Sequence, residues 1–260
     1  MKFRILYTVL LLLVIVGCSK DDSVSGNDEG NNPVDVNLNR QAVGSSANDL
    51  LSDNTFNEMI IELVYVEGYE PNETTVSNFM NFLQNRVNKP NGITVEKRSI
   101  PSPGETIYSI QDIANIEIAE RQNYNTEDTI AVWALFIHGE SENNTNNNVT
   151  LGSAYWNTSF VIFEETVQNF SNSTFEPNRT LLETTVIHHE FGHIFGLTNL
   201  GSDMVEDHED DEHPKHCDVE DCLMFWATES SAGLDDMLNM NSAPELDSQC
   251  IADLQANGGK

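Results

Sequence analysis

The sequence is poor in positive charge and in cysteine. Only 12 of its 260 residues are Lys or Arg, against 42 Asp and Glu, and the formal net charge is −30. Nucleic acid is bound by clustered cations that neutralise phosphates, so we expect no nucleic-acid partner and no charge-driven binding to anionic membranes. Four Cys are too few for a disulfide scaffold of this length. The fold must therefore be stabilised mainly by packing, and 39% hydrophobic residues supply enough apolar surface for a core.

Residues 1–17 predict a signal peptide. Lys2 and Arg4 precede an apolar run at residues 5–16, which is too short to span a bilayer with margin. The run ends in Ile-Val-Gly-Cys at residues 15–18, which resembles the bacterial lipobox. That resemblance implies cleavage before Cys18 and lipidation of its sulfur, so that the chain meets the membrane through a lipid anchor only. An ordinary secretory signal with a chance Cys is the alternative.

Residues 18–50 predict an acidic, flexible tether, because Gly, Asn, Ser and Asp are frequent there and large apolar residues are few. The Ser-Lys-Asp-Asp at residues 19–22 is similar to a signal that sends some Gram-negative lipoproteins to the outer face of the outer membrane. A polar tether on a periplasmic lipoprotein is the alternative. We expect a protein of the bacterial cell envelope that is anchored to the outer membrane. If residues 19–22 act as the export signal, it is also exposed on the cell surface.

Residues 51–260 predict one α/β domain. Strand patterns at residues 59–66, 92–100 and 129–138 alternate with helix patterns at 72–88 and 109–124, which indicates parallel neighbours in a sheet. Two further strand patterns, at 151–156 and 159–164, follow an Asn-rich loop. The expected architecture is a twisted, mixed sheet of about five strands.

The residues that carry chemistry lie in a helix pattern at residues 181–197. It contains HEFGH at residues 189–193, where two His one helical turn apart can both reach one metal ion. Glu190 points toward the open coordination position, as a carboxylate base would. His188 is one residue out of register and is expected to be structural. Gly196 can adopt a left-handed backbone that ends the helix and turns the chain back toward the metal.

With Gly196 the motif reads HExxHxxG and resembles the metzincins, a clan of zinc peptidases with a Met in a tight turn beneath the metal. The third ligand of that clan would fall at Asn199, whose neutral amide is a weak zinc ligand, so another residue should complete the site. Residues 216–224 are similar to the His-Cys-x4-Cys-x-Met block of the archaemetzincins. Here the block begins at His216 rather than at 199, as though a segment were inserted.

The resemblance implies a set of site residues, namely His189, His193 and His216 as zinc ligands, Glu190 as general base, and Gly196 and Met224 as structural residues. Alternative third ligands are His208, then Asn199 or Asp203, and Glu212 or Glu220 in a gluzincin-like site. It also implies a second, structural zinc bound by a later Cys-x-x-Cys, of which only Cys250 is present. Because that motif is incomplete, we expect one catalytic Zn²⁺. In an oxidising exterior compartment we expect a disulfide between Cys217 and Cys222, with Cys250 free or an alternative partner, and two reduced thiols are the alternative.

The inserted segment at residues 203–212 contains seven acids and one His. It predicts either a solvated surface loop or a structural Ca²⁺ site, because hard cations select carboxylate oxygens.

Together these features predict a lipid-anchored, monomeric zinc metallopeptidase with a metzincin-like sheet and a small C-terminal subdomain containing the Met-turn. A zinc-activated water would attack the peptide bond while Glu190 takes its proton. A peptide or protein substrate would pair with residues 151–156 as an added strand, where Tyr155 and Trp156 line subsites or belong to the core. A catalytically inactive binding lipoprotein of the same fold is the alternative, and a hydrolase of non-peptide amides is another.

Overall fold

The computed structural model describes residues 34–146, 148–238 and 240–260. The predicted signal peptide, the lipidation site at Cys18 and residues 18–33 of the predicted tether lie outside these ranges. Within them, no helix is both long enough and apolar enough to cross a membrane.

The described residues form seven strands and seven α-helices. The strands are β1 Glu58–Val66, β2 Gly92–Ile100, β3 Ile107–Tyr108, β4 Thr129–Ile137, β5 Glu140–Ser141, β6 Gly152–Trp156 and β7 Ser159–Phe163. The helices are α1 Ala47–Leu51, α2 Glu73–Arg86, α3 Ile110–Glu120, α4 Glu164–Asn169, α5 Arg179–Ile194, α6 Leu234–Met237 and α7 Ser248–Ala256. Every long strand and helix predicted from the sequence is present, with only its ends shifted.

The main sheet has five strands in the order β2-β1-β4-β7-β6. Strand β1 pairs in parallel with β2 and β4, and β4 pairs in parallel with β7, whereas β6 runs antiparallel to β7. The predicted mixed α/β sheet is confirmed. Helices α2 and α3 make the crossovers that parallel neighbours require. Strand β6 forms one edge of the sheet and contacts α5.

Strand β4 lies at the centre of the sheet and is buried on both faces. Its residues alternate between two hydrophobic clusters: Val132 and Phe136 pack with α2 and α5, while Trp133 and Leu135 pack on the side of α3. A strand covered on both faces needs apolar residues at every position, which explains its uninterrupted apolar run.

A buried carboxylate fixes α5 against α2. Glu183 on α5 accepts hydrogen bonds from the backbone amide of Asn72 at 3.0 Å and from the hydroxyl of Thr75 at 2.5 Å. It thereby satisfies amide and hydroxyl donors at the start of α2, where helices lack internal partners. Arg179 pairs with the same carboxylate at 2.6 Å.

The tether is predicted to reach residue 50, but residues 34–50 belong to the folded unit. Asn39 is fully buried and donates hydrogen bonds to Asn125 at 2.7 Å and to the carbonyl of Ala131 at 3.0 Å. Asn157 in the turn between β6 and β7 donates to Ser46 at 2.7 Å. Buried polar contacts, which an apolar pattern does not reveal, hold much of the segment, and Ala47 and Leu50 are buried at its end.

Candidate metal centre and active site

Helix α5 carries the predicted zinc motif into the protein interior. His189 and Glu190 are fully buried, and His193 is 7% exposed. The helix ends at Ile194, and Gly196 has the predicted left-handed backbone, with φ of 83°. A Cβ atom at Gly196 would lie 2.4 Å from the amide nitrogen of Ser202, so this close turn requires glycine.

Backbone carbonyls orient the two imidazoles of the motif. His189 Nδ1 lies 2.7 Å from the carbonyl of Leu223, and His193 Nδ1 lies 3.1 Å from that of Leu197. A carbonyl only accepts, so each Nδ1 donates its hydrogen and each Nε2 keeps a free lone pair. Burial and the neighbouring His193 lower the pKa of His189 to about 3, which keeps this imidazole neutral, as a metal ligand must be.

His216 joins these two imidazoles. The potential ligand atoms of His189, His193, His216 and Glu229 all lie within 4.8 Å of one another. The Nε2 atoms of His189 and His216 are buried without a hydrogen-bond partner. Buried nitrogens without partners are costly unless something binds them, and three imidazoles are a common ligand set of catalytic zinc. The residues present therefore fit a zinc ion.

The loop at residues 199–215, which contains the inserted segment, is closed at its base directly before His216. The amide of Thr198 donates to the carbonyl of Lys215 at 3.1 Å, and the amide of Lys215 donates to Glu209 at 2.7 Å. Asn199 donates its side-chain amide to the same Glu209 at 2.8 Å. His216 therefore enters the group directly from the base of this loop, whereas Asn199 is engaged elsewhere.

Glu190 connects the motif to the edge strand. One carboxylate oxygen accepts a hydrogen bond from the amide of Ala154 in β6 at 2.6 Å. A Cβ atom at Gly152 would lie 2.8 Å from the other oxygen, so the strand approaches this closely only with glycine there. Burial and the adjacent carboxylate of Glu229 raise the pKa of Glu190 well above its usual range. A divalent cation bound beside Glu190 would instead lower this pKa.

The predicted Met-turn residue packs beneath α5. Met224 is fully buried, and its sulfur would lie 2.2 Å from a Cβ atom built on Gly192. The carbonyl of Met224 accepts from the amide of Cys217 at 2.8 Å. The turn thus connects the helix motif to the residue that follows His216.

Glu229 is a member of the group that the sequence analysis does not predict. It lies in a 3₁₀ helix, Trp226–Glu229, shortly after the Met-turn. Its carboxylate faces the Nε2 atoms of the three imidazoles at 3.5 to 3.8 Å. No motif marks this residue among the 42 acids of the chain.

A second group of potential ligands lies among the described residues. It consists of His208, Cys217, Asp247 and Cys250, with ligand atoms within 4.8 Å of one another. Thiols, an imidazole and a carboxylate are ligands that suit zinc. His208, the main alternative third ligand, therefore lies in this group and not with His189. Asp247 stands where a Cys-x-x-Cys would place its first cysteine, so the incomplete motif does not prevent the group from forming.

The disulfide predicted between Cys217 and Cys222 is not formed. Both thiols are free and buried, as is Cys250, whose sulfur lies 3.7 Å from that of Cys222. The alternative of reduced thiols describes the structure: Cys217 and Cys250 belong to the second group, and Cys222 contacts Cys250.

The remaining alternative ligands lie elsewhere in the described residues. Neither group contains Asp203, Glu212 or Glu220, nor any acid of the inserted segment. Two acids of the inserted segment accept hydrogen bonds from nearby residues. Glu209 accepts from Asn199 and Lys215, and Asp210 accepts from the amide of Glu212 at 2.8 Å. The calcium site stays a prediction.

A cavity of about 380 Å³ adjoins the first group and is lined in part by His213, His216, Trp226 and Glu229. A larger cavity, of about 570 Å³, lies between α2, α5 and residues 240–245 and contains no member of that group. His188 lines the larger cavity and stacks on Phe82 at 4.3 Å. Burial lowers the pKa of His188 to about 4, in keeping with the structural role predicted for it.

No protein-family model matches the sequence, and no curated protein matches it. Among solved structures, the chain is similar to archaemetzincin from Methanopyrus kandleri, with a TM-score of 0.52 and 16% identity, covering 77% of this chain and 96% of that one. The fold is archaemetzincin-like. Metalloproteinase-II from Bacteroides fragilis is a more distant neighbour, with a TM-score of 0.42 and 11% identity, covering 87% of this chain and 58% of that one.

In this archaemetzincin-like fold, β6 has a sheet partner on one side only. Its two aromatic residues are already engaged. Tyr155 donates its hydroxyl to Glu117 at 2.6 Å and packs against the second hydrophobic cluster, and Trp156 lies under Arg40 at 5.6 Å. Of the two roles considered for Tyr155, the core role describes the structure.

Proposed function

We propose that this chain is a zinc-dependent metallopeptidase that hydrolyses peptide bonds. One observation carries the proposal: the imidazoles of His189, His193 and His216 converge beside the buried carboxylate of Glu190, at the edge of a sheet. The archaemetzincin-like fold supports it.

Zinc bound there would polarise the scissile carbonyl and lower the pKa of a water molecule. Glu190 supplies the proton transfers. Its oxygen held by Ala154 fixes the orientation of the carboxylate, and its other oxygen is buried without a hydrogen-bond partner. That oxygen takes the proton of the attacking water and passes it to the leaving amine. An extended substrate pairs with the free edge of β6 and gains backbone hydrogen bonds.

Glu190→Gln tests this role. The variant should keep its zinc, since Glu190 is not a ligand, and lose about 10²- to 10⁴-fold in peptide hydrolysis. Metal content and turnover of a fluorogenic peptide library are measured on the same preparations. Full activity in Glu190→Gln would refute the assignment.

The third ligand is tested by a matched pair of histidine variants. His216→Ala should lose the zinc on which hydrolysis depends, whereas His208→Ala should retain it, because His208 lies in the second group. Loss of this zinc from His208→Ala alone would show that the ligand assignment is wrong.

A catalytically inactive binding lipoprotein is the second candidate. Asn199, at the usual third-ligand position of the clan, is the feature that favours it. Such a protein would bind zinc weakly even with His189 and His193 intact. A tightly bound zinc that depends on His216 would therefore argue against it.

We also propose that lipid on Cys18 anchors the protein in the cell envelope. The Ile-Val-Gly-Cys sequence at residues 15–18 supports this. Cys18→Ala should move the protein from the membrane fraction of cells to the soluble fraction, and retention in the membrane would contradict the proposal.

A further inference from the structure

The carboxylate of Glu229 lies among the three imidazole nitrogens of the first group. Its Oε2 atom is 3.6 Å from His189 Nε2 and 3.8 Å from His193 Nε2, and its Oε1 atom is 3.5 Å from His216 Nε2. These separations exceed the usual limit of about 3.2 Å for an N–H···O hydrogen bond. The carboxylate therefore faces the imidazoles without satisfying them, and His189 and His216 keep unpartnered Nε2 atoms.

The separations are close to those between ligands of one metal ion. Zinc binds imidazole nitrogen and carboxylate oxygen at about 2.0 to 2.2 Å in a tetrahedron, which places neighbouring ligand atoms about 3.3 to 3.6 Å apart. Four protein ligands make the closed type of zinc site, whereas catalytic sites keep one position for water or substrate. With Glu229 the group has four candidate ligands, one more than the three protein ligands usual in catalytic zinc sites.

The backbone places Glu229 in this position. The carbonyl of Glu229 accepts from the amide of Leu151 at 3.0 Å, and the amide of Ser231 donates to the carbonyl of Val149 at 2.9 Å. Thr150 and Ser230 form an antiparallel bridge between the same two segments. Glu229 is thus paired with the chain that leads directly into β6, the strand on which substrate is proposed to bind.

The side chain has room to leave the group. It is 30% exposed, although His189 is fully buried, and it borders the cavity of about 380 Å³ with Trp226 and His213. A carboxylate at a cavity wall can rotate into that space without displacing the backbone.

We propose that Glu229 is a fourth metal ligand that closes the site in the resting protein and withdraws when peptide binds along β6. The inference rests on the proposed function, because it assumes that the first group holds zinc. The proposal implies that the resting enzyme is inhibited by its own side chain, because the carboxylate of Glu229 occupies the coordination position that substrate and water need.

The experiment compares Glu229→Ala and Glu229→Gln with Glu220→Ala in the full chain, solubilised in detergent. The control substitution Glu220→Ala removes the same charge from an exposed position outside both groups. Zinc affinity is measured by competition with a chromophoric chelator, and ligand number by the absorption of the Co²⁺-substituted protein. Turnover of peptides is measured at saturating zinc.

Glu229→Ala should weaken zinc binding by about tenfold or more and change the Co²⁺ spectrum, while kcat at saturating zinc rises. Glu229→Gln keeps the shape of the side chain and should shift affinity and spectrum in the same direction, which separates ligand loss from misfolding. Glu220→Ala should change neither.

Unchanged zinc affinity and an unchanged Co²⁺ spectrum in both Glu229 variants would overturn the proposal. A kcat that falls at saturating zinc would also overturn it, since Glu229 would then assist the reaction instead of restraining it. If the wild-type protein binds zinc through Glu229 but neither it nor Glu229→Ala cleaves any peptide, the ligand role stands and the proposed peptidase function fails.

Discussion

The substitution Gly192→Ala tests how tightly Met224 packs against α5 beneath the first group. A methyl group at this position would lie 2.2 Å from the sulfur and 3.1 Å from the terminal carbon of Met224. Favourable contacts between nonbonded heavy atoms begin at about 3.5 Å, so the side chain of Met224 must retreat by more than an ångström. Met224 is fully buried, and the turn that carries it also supplies the carbonyl that orients His189.

Two opposing free-energy terms set the size of the effect. Replacing a helical glycine by alanine stabilises a helix by about 1 kcal/mol. Overpacking a filled core destabilises it by about 1 to 3 kcal/mol. We expect Gly192→Ala to lower the free energy of unfolding by about 1 kcal/mol, and to weaken zinc binding because Leu223 shifts together with Met224.

A double-mutant cycle separates the two terms. Met224→Ala alone should cost about 2 to 5 kcal/mol by creating a cavity. In that background the methyl of Gly192→Ala meets no sulfur, so the same substitution should stabilise the protein by about 1 kcal/mol. Urea unfolding of the metal-free proteins measures all four free energies without the contribution of bound zinc. If Gly192→Ala has the same effect in both backgrounds, the close contact is not what demands glycine here.

Two other predictions follow from groups outside the first group. Burial and the neighbouring Glu183 raise the pKa of Glu164 from 4.5 to about 9, so the folded state binds an extra proton between these values and loses stability as pH rises through them. Glu164→Gln should flatten this decline in urea midpoints, and an unchanged slope would contradict it. The purified chain should carry two zinc ions, one in each group; Cys250→Ser should reduce the zinc content to one while Glu190→Gln retains two, and metal analysis distinguishes these outcomes.

The fold could be predicted from the sequence because its signals are local. The apolar runs of β1 and β4 and the amphipathic pattern of α2 specify their own secondary structure, and their alternation specifies parallel pairing. The sequence predicts a tether around Asn39, because composition does not encode the hydrogen bonds of Asn39 to the distant residues Asn125 and Ala131.

The site could be predicted only as far as a motif reaches. His189, Glu190 and His193 share one helix, so their spacing alone brings them together. Glu229 reaches its group through tertiary structure and carries no local pattern. It is a single acid in a chain with 42 of them, and nothing in the sequence distinguishes it from solvated ones. Asp247 is marked only by its spacing from Cys250, and tertiary structure brings both to His208.

The position of His216 shows why spacing along the chain is a weak guide to ligands outside a helix. A backbone hydrogen bond between Thr198 and Lys215 closes the loop between them at its base. His216 therefore follows the closed base of the loop on one side, just as Asn199 follows Thr198 on the other. Doubling the length of such a loop costs only about 0.6 kcal/mol of closure entropy. The segment also makes its own contacts, because His208 reaches Asp253 on α7 at 2.8 Å. A loop that is closed at its base and packs against the domain leaves the first group intact, and it contributes His208 to the second group.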